Sequence, residues 1–266
     1  MTAATAPTTN LRPDVQAAGP AIPMTRLVEV ELRKMIDTRA GRWLLISVAG
    51  LVALVLAVVV ATTNQPDDRS FSTLAQIAQF PVSVLLPILG VLAATSEWNQ
   101  RTVLGTFSLV PRRGRSLQAK VLAALVLATV AYVVAMLFAA IASGLAGLFT
   151  TVDQDWSLGW SNAGETLVYQ WLSMLLGVAL GTVFLSSGLA IVLYFALPMI
   201  WGGIVDSFKS LADVQLWADV NTSWARLVME DPMNGEWWAR VGTTTLVWVV
   251  LPLGLGAWRV LRKEVD

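Results

Sequence analysis

The chain has no cysteine and no histidine, and only 14% of its 266 residues are charged. Lacking cysteine, it has no disulfide scaffold, thiol nucleophile or thiolate metal ligand. Lacking histidine, it has no imidazole base and no Cys/His zinc site. The scarcity of charge excludes an ordinary soluble domain of this length, which would need a polar shell. There is also no G-x-x-x-x-G-K-[ST] phosphate loop anywhere in the chain.

What is present is apolar: 56% of the residues are hydrophobic and the mean hydropathy is +0.65. These residues gather into runs long enough to cross a hydrocarbon layer of ~30 Å, which takes ~20 helical residues. The expected fold is therefore an all-α integral membrane protein with six transmembrane helices. Charge-free windows place the spans near 43–62, 74–94, 121–149, 167–186, 188–205 and 241–258, because an unpaired charge inside a bilayer is costly. The third is longer than one crossing requires and is expected to tilt or extend past the membrane. No charged residue lies between Thr166 and Val205. As one helix that window would reach ~60 Å at ~1.5 Å per residue, so two spans are expected, turning near Ser186-Ser187-Gly188. Residues 1–23 are rich in Ala, Thr and Pro, have no apolar core of the signal-peptide kind, and read as a disordered cytoplasmic tail ahead of one membrane domain, 24–266.

An even number of spans puts both termini on one side, and the basic residues choose it. With the N-terminal segment, the loop between spans 2 and 3 and the C-terminus in the cytoplasm, only Arg69, Lys209, Arg226 and Arg240 of the 18 basic residues fall outside. The expected location is a cell (plasma) membrane, multi-pass, with both termini cytoplasmic. Tryptophans prefer the headgroup layer, so Trp43, Trp98 and Trp258 are expected at the inner face, and Trp156, Trp160, Trp171, Trp201, Trp237 and Trp238 near the outer one.

Two stretches are expected to lie along the membrane. From Thr25 to Arg39, Val28, Leu32, Met35 and Ile36 recur at helical spacing while Glu29, Arg33, Lys34 and Asp37 fill the remainder, the pattern of an amphipathic interfacial helix. The outer segment 206–239 has helical apolar spacing at Leu211, Val214, Leu216 and Trp217, which would fold it back onto the outer surface. It also contains Asn221-Thr222-Ser223, a glycosylation-acceptor pattern short enough to arise by chance.

The segment 96–120, SEWNQRTVLGTFSLVPRRGRSLQAK, is a basic insert in an apolar chain. Thr102 to Val110 can form a short helix with Val103, Leu104, Phe107 and Val110 on one side, stopped by Pro111. Glu97 and Arg101 stand four apart, acid first, which is the favourable helical order. A solvated loop whose arginines fix topology explains the charges but not the apolar face, which needs either lipid or a docking partner.

The order Glu97, Arg101-Thr102, apolar helix, Pro111-Arg112-Arg113 and Ala119-Lys120 resembles the inner loop of permease subunits of type-2 ABC exporters. The six-span plan and the helix before the first span match as well, so the resemblance covers roughly residues 24 to 262. It implies a cytoplasmic coupling helix between spans 2 and 3 that docks into a separate ABC ATPase subunit through Glu97, Arg101, Thr102, Val103, Leu104, Phe107, Pro111, Arg113 and Lys120. Beside it would lie the interfacial helix carrying Val28, Leu32, Arg33, Met35 and Ile36. It further implies a second permease copy, as a homodimer or heterodimer. ATP and Mg would be held by the partner ATPase, with no cofactor on this chain, which fits the missing phosphate loop. The chain would then be a non-catalytic subunit forming the substrate pathway, with no metal site and no nucleic-acid partner. Its partners would be the ATPase, the second copy and the lipid bilayer, and the residues that bind the substrate are not readable from the sequence.

Two other classes compete. An ion-coupled secondary transporter usually needs ionisable groups near mid-bilayer, and charge-free spans speak against a proton relay while leaving sodium held by carbonyls and hydroxyls open. A polytopic membrane enzyme could use Asp153, Asp155, Glu230 and Asp231 for acid/base or metal chemistry, but nothing else in the chain completes such a site.

Overall fold

The computed structural model describes residues 22–63, 67–99, 113–148, 156, 160–229 and 233–262. Among them there is no strand, and six helices are long and apolar enough to cross a membrane. In lipid a helix satisfies every backbone group within itself, which is why apolar runs of this length take that form.

Helix α1 is Met24–Asp37, and α2, the first long helix, is Arg39–Thr62. The break between them is sharp. Thr38 leaves the helical region at ψ 148, and its hydroxyl accepts from Gly41 N at 3.1 Å, capping α2. Gly41 is needed there because a Cβ would collide with the Met35 carbonyl oxygen. Next come α3, Phe71–Asn99, and α4, Arg113–Leu148, then α5, Trp160–Phe184, and α6, Ser187–Ser207. The segment 206–239, expected at the outer surface, includes α7, Ala212–Ala218, and α8, Val220–Ala225, flanked by short 3-10 turns. The sixth long helix is α9, Gly235–Thr245, a π turn, Leu246–Val250, and α10, Leu251–Arg262. The π turn sits where Pro252 lacks an N–H and would press on the carbonyl four residues back, so the wider turn relieves a clash.

The boundary between α5 and α6 falls at Leu185 and Ser186, close to the turn expected from the serines. The residue that turns the chain is Leu185, at φ 54, rather than Gly188. A left-handed leucine costs about 1–2 kcal/mol.

Helices α3 and α5 form the centre. They run parallel, since Gln79 meets Gln170, Pro87 meets Gly177 and Ala94 meets Gly181. Of the apolar window in α3, 61% is buried, against 17% in both α2 and α6, which therefore form the flanks. Close approach depends on glycine. A Cβ on Gly90 would stand 2.7 Å from the Met174 carbonyl oxygen, one on Gly181 2.7 Å from Ala94 Cβ, and one on Gly177 would strike the Pro87 carbonyl. Gly177 and Gly181 make a small-xxx-small pair of the kind that lets helices pack in lipid.

One apolar cluster joins α2, α3 and α4 with Met174 and Val178 of α5. The other joins α5 and the last long helix with Trp224 and Leu227 of the outer segment. That segment does fold back, but through different residues than its periodicity suggested. Trp224 is 1% exposed and Leu227 is fully buried, while Val214 and Trp217 face outward. Helix α8 is held by Asp219, buried, whose carboxylate accepts from Thr222 N and Oγ1, both at 2.8 Å.

Candidate functional site

Contacts at the helix ends sort the bundle into two faces. At one face, Thr95 near the end of α3 meets Ser187 at the start of α6 at 3.0 Å, and Arg259 in α10 donates to the Val183 carbonyl near the end of α5. Helix α1 lies here, together with the start of α4. At the other face, Arg69 donates to the Val60 carbonyl at the end of α2 and Ser143 of α4 donates to the Arg69 carbonyl at 3.3 Å. Asn162 donates to the Met229 carbonyl at 2.6 Å at this same face. The first face carries Arg33, Lys34, Arg42, Arg115, Lys120 and Arg259. The second carries Arg69, Arg226 and Arg240.

The centre of the first face is Glu31. Its side chain is 7% exposed, and its two carboxylate oxygens take different lysines: Oε2 accepts from Lys120 Nζ at 2.7 Å and Oε1 from Lys34 Nζ at 2.8 Å. Lys120 is equally buried, at 8%. Two charges withdrawn from water are tolerated only when paired this closely. The ion pair fastens α1 to the first turns of α4, which leave the 96–120 segment. A second tie has Arg115 donating to the Ile22 carbonyl at 2.6 Å, so the end of the stretch expected to be a free tail is anchored. A cavity of about 140 Å³ beside Glu31 is lined by Lys34, Thr38, Leu92, Ser96 and Ser187, drawing α1, α3 and α6 into the same junction.

The residues singled out in the sequence divide as follows. Lys120 is placed in the junction. Met35 is buried, Val28 and Leu32 pack against the core, and Arg33 points outward in a 2.6 Å pair with Glu29. Ile36 is exposed. Glu97 lies in the last turn of α3 and Arg113 begins α4, their side chains being outside the described residues. Arg101, Thr102, Val103, Leu104, Phe107 and Pro111 are outside them altogether, as are residues 1–21 and the acids Asp153, Asp155, Glu230 and Asp231.

Sequence reasoning missed Glu31. Its signal was there: positions 28, 31 and 35 share one helical face, so a glutamate interrupts the stripe made by Val28 and Met35. Trp171 turns inward to donate to Thr129 Oγ1 at 2.9 Å, and Trp201 stacks edge-on with Trp248 at 6.5 Å between ring centres. The amide of Asn221 is engaged by the Pro198 carbonyl at 3.2 Å.

Gln79 and Gln170 pair at 3.2 Å in the middle of the bundle, both buried. Among the described residues no group of three acids gathers to hold a metal. No protein-family model matches the chain, and no curated protein matches it.

Proposed function

We propose that the chain is the membrane-spanning subunit of an ATP-driven exporter of the type-2 ABC kind, worked by a separate ATPase at the Glu31 face. The observation that carries this reading is the buried Glu31 carboxylate bridging Lys120 and Lys34. A helix that merely rests on lipid needs an apolar stripe and nothing more. Here a buried ion pair makes α1 move with the start of α4, and α4 begins where the basic, half-apolar loop ends. The loop, α1 and α4 then act as one lever. Closure of a partner ATPase dimer on ATP would displace the loop, and rigid helices would carry the displacement into the bundle, shifting its population between inward- and outward-facing states. The exposed flanks α2 and α6 are available to lipid and to a second copy of the chain.

Phe107→Asp is compared with Ser108→Asp, which adds the same charge one residue away. A charge forced into an apolar contact costs several kcal/mol, enough to break a modest interface. Provided both variants reach the membrane at wild-type levels, Phe107→Asp is expected to lose the co-purifying ATPase and transport while Ser108→Asp keeps both. Equal retention by the two would show that Phe107 does not dock. ATP turnover by the purified chain free of any ATPase subunit would overturn the reading and favour a membrane enzyme.

A further inference from the structure

A cavity of about 530 Å³ opens between α2 and α4 at the face opposite Glu31. Its floor is Leu56 and Ala146, both buried, and its walls include Val60, Phe138 and Ala142. Among the described residues, Arg69 is the one charged residue that lines it. The 3-10 turn Asp67–Arg69 sets that arginine at the mouth, where its Nη2 donates to the carbonyls of Val60, at 3.0 Å, and Thr63. Its backbone carbonyl is held from α4 by Ser143. The end of α2 therefore holds the guanidinium, while α4 holds the backbone of the same residue. Among the described residues no carboxylate pairs with it, and its buried Nε has no partner.

We infer that this cavity binds one acyl chain of an anionic phospholipid, with the lipid phosphate seated at Arg69. The size is ordinary for a ligand pocket, which spans about 300–1,000 Å³. An acyl chain that leaves the bilayer for this cavity passes from one apolar medium to another, so the tail contributes little selectivity. Discrimination falls to the headgroup, and an arginine without an acidic partner favours negative charge. A second copy docked here about a two-fold axis would bring Arg69 toward its own equivalent, which repels. The inference rests on the long helices crossing a bilayer and is independent of the exporter reading.

The test is native mass spectrometry of the full chain, solubilised mildly from membranes doped equally with phosphatidylglycerol and phosphatidylcholine. The wild type should retain phosphatidylglycerol about fivefold over phosphatidylcholine, the ratio expected for one basic contact near a membrane surface. Arg69→Gln should abolish that preference, and Arg69→Lys should keep most of it. Ala142→Trp fills the cavity without touching the arginine and should lower retention of both lipids. Should Arg69→Gln fail to fold, Ala142→Trp and Arg69→Lys decide. Equal retention of the two lipids by the wild type, or retention of both untouched by Ala142→Trp, overturns the inference. So does an Ala142→Trp chain that loses only its self-association, which would make this face a contact between copies.

Discussion

At the scale of the residue, three charged residues are buried among the described ones, Asp219 and the pair Glu31 and Lys120. Removing one partner of a buried pair strands the other, at about 3–5 kcal/mol. Lys34 still neutralises Glu31 when Lys120 is lost, so Lys120→Met is expected to cost less, about 1–3 kcal/mol, read as a lower melting temperature in detergent. The double variant Glu31→Leu/Lys120→Met should recover most of that loss, because the two neutral chains leave no charge buried. Reversing the pair with Glu31→Lys/Lys120→Glu should rescue poorly, because the new lysine would face Lys34. Rescue by reversal as complete as by the neutral double would show that Lys34 is not coupled to the site. Lys120 was legible in the sequence as the end of a basic insert and Glu31 as a break in an apolar stripe, whereas their pairing was not, since it joins positions 89 apart.

At the scale of the element, the crossing of α3 and α5 is set by glycines rather than by large side chains. Gly177→Ala places a methyl group against the Pro87 carbonyl, a backbone atom that cannot rotate away. The two helices must then separate, and the expected cost is about 1–3 kcal/mol, as for other overpacked interiors. Gly203→Ala is the control: it sits in α6 with open space around its Cβ position and should be neutral or stabilising by up to ~1 kcal/mol. Melting temperatures of the two variants side by side check this, and equal behaviour would show that the packing of α3 on α5 does not depend on Gly177. The helices themselves were legible because the cost of charge in lipid depends on local sequence alone. Their ends were less so: the last long helix starts at Gly235, well before the expected Val241, where the Asn234 side chain caps it by accepting from Trp237 N.

At the scale of the whole molecule, the structure separates two faces of unequal basic content, and the excess of Arg and Lys on the Glu31 face predicts its side of the membrane. Since the chain has no cysteine, single cysteines report topology without background. Asp213→Cys is preferable to a site at Asn162, whose amide is occupied by Met229, because Asp213 is exposed in the outer segment. An impermeant thiol reagent applied to intact cells should label position 213 and leave Ser108→Cys unlabelled. Labelling of 108 alone, or of both equally, would reverse or dissolve the orientation and remove the Glu31 face from any cytoplasmic motor.

The sequence by itself determined the all-helical class, six long apolar helices and the basic character of one set of connections. Each follows from the energy of placing a residue in water or in hydrocarbon, which a linear chain displays without folding. Tertiary structure alone decided which helix is central, which glycines meet backbone, that Trp224 and Leu227 rather than Leu211 and Val214 anchor the outer segment, and that Glu31 closes on Lys120. Those outcomes depend on which distant surfaces come together, and in an apolar medium many pairings of oily helices have similar energies. Small residues and a few buried polar bonds break that near-equality, and their partners are named only once the chain has folded.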